Sequence, residues 1–134
     1  MPLFAWRDSF SVRDATLDSQ HKKLVELLNQ LYDAMTCREG KSVVDAVLAE
    51  LVDYAATHFA EEEQLMRACH YSGLAKHKQA HDAFAQQAAA FVIQYNAGSV
   101  SVSRDLLRAL KECLVNHIEK MDQGYADALQ QIAA

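Results

Sequence analysis

Residues 42–69 read SVVDAVLAELVDYAATHFAEEEQLMRAC, with no glycine or proline among them. The stripe Val44, Leu48, Leu51, Ala55, His58, Glu62, Leu65, Cys69 steps by threes and fours. That period is one face of an α-helix, the face that packs against neighbours. A histidine and a glutamate lie on this otherwise apolar face.

On either side the chain is punctuated in the same manner. Breaks fall at CREGKS (37–42), CHYSG (69–73) and NAGSVS (96–101). Gly40 and Gly98 suit the position just past a helix end, and Ser42 (with Asp45 three residues on) and Ser72 suit N-caps. Three more stripes appear between the breaks. The first is Leu17, His21, Leu24, Leu28, Leu31, Met35; the next is Leu74, His77, His81, Phe84, Ala88, Phe91, Tyr95. The last is Leu106, Leu110, Cys113, His117, Met121. The spacing predicts helices over about 16–37, 42–68, 73–96 and 101–121, with an arm over 1–15 and a tail over 122–134. Short loops between long helices imply an all-α, up-down-up-down antiparallel four-helix bundle. A short C-terminal helix around 123–132 is weakly signalled.

Composition agrees with one domain over 1–134. Among 134 residues there are 4 glycines and 1 proline, too few for the turns of a β-sandwich or barrel. Apolar residues make up 51%, which excludes a disordered chain. The net charge is -5 and Lys and Arg form no block, so nucleic acid is not an expected partner. The longest apolar run, 88–93, is too short for membrane insertion. The opening MPLFAWRDSF reaches Asp8 early, which argues against a signal peptide. Three dispersed cysteines, Cys37, Cys69 and Cys113, form no CxxC and suggest reduced thiols in a cytoplasm. No extra apolar face stands out, so a monomer is expected.

The polar residues on the stripes need an explanation. Five histidines and a glutamate on core faces are costly to bury unless something compensates them. A bound cation does so directly. Their levels also agree in an antiparallel bundle. His21, His77 and His81 lie near helix starts at one end, while His58, Glu62 and His117 lie toward helix finishes at that same end. His58/Glu62 and His77/His81 are i,i+4 pairs, each pointing one way off its helix. Asp122 follows His117 by five residues, about 140° round a straight helix. It is either a surface acid or a ligand brought round where the last helix frays or bulges. Five histidines with two or three carboxylates exceed the four ligands of a structural zinc. The set suits two metals sharing carboxylates, and its donors allow Fe, Mn, Co or Zn.

His21, His58-x-x-x-Glu62, His77-x-x-x-His81 and His117-x-x-x-x-Asp122 together resemble the hemerythrins, non-haem di-iron four-helix bundles, over essentially the whole chain from the Phe4–Trp6 arm. The His-Phe-x-x-Glu-Glu run at 58–63 is similar too. Tyr71–Ser72 departs from the Tyr-Pro of many members and touches only a loop. The resemblance implies two non-haem iron ions with an oxo or hydroxo bridge. One would take His77, His81 and His117, the other His21 and His58, with Glu62 and Asp122 bridging. The His21/His58 iron keeps an open position, where O2 would bind. Around it we expect a pocket of Leu24, Val25 and Leu28, with Cys113 and Leu114 opposite.

The resemblance implies reversible O2 binding for storage or delivery, without a catalytic role. An O2-consuming enzyme is a candidate recipient. Oxygen or redox sensing and iron handling are the alternatives. Ferritin-like sites use Glu-x-x-His, and no glutamate here has a histidine three residues later. His70, in a turn off the stripes, is not expected to touch metal. Glu61 and Glu63 are expected to face solvent. Phe4, Trp6 and Phe10 are expected to dock the arm.

Overall fold

The computed structural model describes residues 6–36, 41–98, 100–118, 123–124 and 126–127. A short 3-10 turn, Asp8–Phe10, precedes four α-helices: α1 (Ala15–Thr36), α2 (Lys41–Ala68), α3 (Leu74–Asn96) and α4 (Val100–Asn116). No strand occurs among the described residues. None of these helices is long and apolar enough to cross a membrane. Contacts between Cα atoms divide the chain within α2 into two compact units, Met1–Glu62 and Glu63–Ala134.

In the first unit, Asp14 caps α1 by accepting the Leu17 N–H at 2.9 Å. Asp18, in the first turn of α1, ties down the arm. It accepts the Val12 N–H at 2.8 Å and the Ser11 hydroxyl at 2.6 Å. Those anchors seat Phe10 and Val12, which are fully buried. Trp6 packs edge-on against Phe10, ring centroids 5.4 Å apart. Phe4 lies outside the described residues. α1 and α2 run antiparallel, since Lys23 near the start of α1 pairs with Glu50, and Gln20 reaches Glu61 further along α2. Leu17, Leu24, Leu27, Leu28, Leu31, Val44, Leu48, Leu51 and Ala55 fill this unit's core.

In the second unit, α3 and α4 pack on one another. Gly98 has φ +84, and its N–H donates to the Tyr95 carbonyl at 3.0 Å. It ends α3 as a left-handed cap, a conformation glycine adopts without strain. The expected serine caps fall elsewhere. α2 already includes Ser42, and Gly73 rather than Ser72 stands at the N-cap of α3, with no side-chain cap. Gly40 and Cys37 lie outside the described residues.

Two stripes are rotated slightly from expectation. In α2, Met66 is fully buried, whereas Leu65 is 39% exposed. In α4, Leu107, Leu110 and Leu114 take the buried face, continued by His117 and Ile118 just beyond its end, and Cys113 is only half-buried. Both shifts occur where two apolar residues stand side by side, so spacing alone admits either one. Met121 lies outside the described residues. Residues 123–124 and 126–127 are helical, and Ala126 is fully buried.

Candidate metal centre

In the first unit, α1 supplies His21 and α2 supplies His58 and Glu62. All three are buried, and one ligand atom from each lies within 4.8 Å of the others. Glu62 Oε2 is the meeting point, 3.1 Å from His21 Nε2 and 3.2 Å from His58 Nε2. The antiparallel pairing of α1 and α2 produces this convergence. It sets the first turns of α1 beside the last turns of α2, and the i,i+4 spacing stacks His58 under Glu62.

The protons on this group can be placed. Gln20 donates its amide to the Glu61 carboxylate, which can only accept, so its Oε1 faces His58. His58 Nδ1–H donates to that oxygen at 2.6 Å. A neutral His58 therefore carries no proton on Nε2. That nitrogen is buried, makes no hydrogen bond, and stands 3.2 Å from Glu62 Oε2. An imidazole lone pair and a carboxylate oxygen held this close in a dry interior repel unless a positive charge compensates them. A metal cation is such a charge, and imidazole with carboxylate is a donor set that borderline divalent metals accept.

In the second unit, His77 and His81 on α3 and His117 beyond α4 form a group of their own, all buried. His117 Nε2 lies 3.1 Å from His77 Nε2 and 3.2 Å from His81 Nε2. Their rings meet at centroid distances of 4.5 to 4.8 Å, mostly edge-on. His81 Nδ1–H donates to Glu63 Oε2 at 3.1 Å, which turns the His81 Nε2 lone pair toward the same point. Glu63 thus does not simply face solvent as expected. Its side chain is 14% exposed and is engaged with His81. Gln20 was absent from the sequence-based candidates altogether. The available signal was position: each is the immediate neighbour of a stripe ligand, His21 or Glu62.

At His117–Ile118 the α-helical pattern gives way to a wider π turn. Such single turns recur at functional sites. Asp122 lies outside the described residues. Leu24, Val25 and Leu28 are buried in the first unit and Leu114 in the second. Cys113 differs from them. It borders an open cleft with Gln87, Lys111, Glu112 and Asn116. Its thiol is pushed up from the ordinary range by burial. His70 is exposed in the α2–α3 turn with φ +55 and joins neither group.

The family described as "Hemerythrin HHE cation binding domain" matches residues 13–129. The bacteriohemerythrin of Stenotrophomonas maltophilia is 36% identical over 130 residues, covering 97% of this chain and 84% of that protein. The bacteriohemerythrin of Methylococcus capsulatus is 32% identical, covering 96% and 98%. The crystal structure of wild-type hemerythrin superposes with a TM-score of 0.82 at 33% identity, over 95% of this chain and 98% of that one. A hemerythrin point variant gives 0.85 at 32% identity. With these likenesses, four helices and two His-rich groups of metal-ligand geometry, this chain is an all-helical bundle and belongs to the hemerythrin family.

Proposed function

We propose that this protein binds O2 reversibly at a non-haem di-iron centre, for storage or delivery. The observation that carries the reading is the convergence of His21 Nε2 and His58 Nε2 on the buried Glu62 Oε2, at 3.1 and 3.2 Å, a grouping of ligand atoms that suits a cation. His21 and His58 would hold one iron and His77, His81 and His117 the other. Glu62 and Asp122 would serve both. Asp122 enters this reading on its place in the sequence, five residues after His117. Two irons with an oxo or hydroxo bridge, when bound, would supply the electrons that O2 takes up.

The chain's own residues do the rest. Two histidines against three leave the His21/His58 side with the open position. Leu24, Val25 and Leu28, all buried on α1 beside His21, would exclude water there. With Leu114, and with Cys113 at the rim, they would keep proton donors from bound O2, which favours carrying it over reducing it. We place the protein in the cytoplasm as a monomer, consistent with free Cys69 and Cys113. It would act as one domain over 1–134, passing O2 to a consuming enzyme.

Metal analysis with optical spectra under argon and under O2 tests the proposal. It expects two irons per chain, a nearly colourless reduced form, and a charge-transfer band that O2 raises and argon removes. A single zinc with no O2-dependent band would overturn it.

A further inference from the structure

Two of the five histidines in these groups are held from behind by side chains of different charge. Gln20, a neutral amide, accepts the Nδ1–H of His58 at 2.6 Å. Glu63, a carboxylate, accepts the Nδ1–H of His81 at 3.1 Å. Each has its own backing. The Gln20 amide is fixed by Glu61, and Arg67 stands 3.9 Å from the other Glu63 oxygen. We infer that Gln20 and Glu63 are positioning residues that fix the Nε2-ligating tautomer of His58 and His81 and make the two iron sites electronically unequal. The inference rests on the di-iron reading above.

A histidine that donates to a neutral amide remains an ordinary neutral ligand. One that donates to a carboxylate has its N–H bond polarised and pushes more electron density onto its other nitrogen, making it a stronger donor. The three-histidine group thus carries the more basic imidazole, which favours iron(III). The two-histidine group keeps a plain imidazole, which leaves its metal the better acceptor of an added ligand. The sequence places Gln20 immediately before His21, so α1 supplies a ligand of its own and the brace of another. It places Glu63 immediately after Glu62, so consecutive glutamates on α2 face different tasks.

The test has a metal-free and a metal-loaded arm. In the metal-free protein, nitrogen NMR of labelled histidines should show His58 and His81 with the proton on Nδ1. Gln20→Leu and Glu63→Leu should each release that preference at one histidine only. In the protein loaded anaerobically with Fe(II), each Leu variant should lose about 10–100-fold in affinity for one of the two irons, read by competition with a chromophoric chelator. Two shape-conserving changes separate charge from packing. Glu63→Gln should raise the reduction potential while retaining both irons. Gln20→Glu combined with Glu61→Gln, which exchanges the two groups, should lower it. Protons on Nε2 of His58 and His81, or parental affinities and potentials in all variants, would overturn the inference. A parent that takes up no iron would overturn the di-iron reading, and the metal-free spectra would still decide the tautomers.

Discussion

Tyr71 fills the space above Gly124: its hydroxyl oxygen lies 2.8 Å from where a Cβ on that glycine would stand. The same ring closes on Gly73, where a Cβ would meet Cζ at 2.7 Å and Cε2 at 2.8 Å. One aromatic side chain from the α2–α3 turn thus fits against two glycines.

The two contacts differ in kind, and a double-variant test follows. Gly73→Ala and Gly124→Ala should each cost about 1–3 kcal/mol, since overpacking forces the ring or backbone to move. At Gly124 only the hydroxyl is close, the Cζ being 4.0 Å away. Measured against Tyr71→Phe alone, adding Gly124→Ala should therefore be nearly neutral. Adding Gly73→Ala should remain costly, because the ring carbons are still there. Equal rescue at both positions in thermal unfolding would show that the hydroxyl is not what excludes the Gly124 methyl.

Asp18 makes the second prediction. Its two carboxylate oxygens hold Val12 and Ser11, and through them the arm that seats Phe10. Asp18→Ala should cost about 1–2 kcal/mol in stability, as loss of a helix-terminal acceptor does. It should also loosen Trp6 from Phe10, read as a red shift in Trp6 emission. An unshifted emission with parental stability would mean that burial of Phe10 and Val12 alone retains the arm.

Cys113 gives a pH dependence. Burial raises its thiol above the ordinary value of 9.0, so the folded chain holds that proton more tightly than the unfolded one. The associated stabilisation is complete below the unfolded value and is lost as pH rises through the raised folded value. Stability should therefore fall on the alkaline side, and Cys113→Ala should remove that part of the fall. At pH 8 the Cys113 thiol should also react with an alkylating reagent more slowly than a thiol in a short peptide. Parental alkaline behaviour in Cys113→Ala would assign the loss to other groups.

What could be read from the chain divides along physical lines. His21, His58, Glu62, His77, His81 and His117 were legible because each breaks an apolar stripe, and a polar group on a buried face stands out. The structure brings the first three together in one unit and the histidine trio in the other. Gln20 and Glu63 were not legible as braces. A polar residue one step off a stripe looks like the solvated edge of a helix, and only the side-chain direction shows what it touches. The choices between Leu65 and Met66, and between Cys113 and Leu114, were hidden for another reason. A period of 3.6 does not select between adjacent apolar residues. Packing decides, and it buried Met66 and Leu114.

The last prediction tests why such a centre would carry O2. Leu24 is fully buried on α1, three residues after His21 and on the same side of the helix. If it walls the open position of the His21/His58 iron, Leu24→Asn should leave every proposed ligand in place and set a donor, with the water it attracts, beside bound O2. The variant will be less stable, because an amide replaces a buried alkyl group. Leu24→Ala, which opens space without a polar group, controls for that loss. Iron content should stay near the parent's in both. The oxygenated form should lose its ability to give O2 back, leaving the iron(III) protein, markedly faster in Leu24→Asn, and less so in Leu24→Ala. His117→Ala should instead lower iron content, since it removes a ligand rather than a wall. An oxygenated Leu24→Asn protein that lasts as long as the parent's would show that a dry wall at Leu24 does not govern reversibility. The reason the centre releases O2 intact would then have to lie in the ligands themselves, in how His58 and His81 are braced rather than in what surrounds the open position.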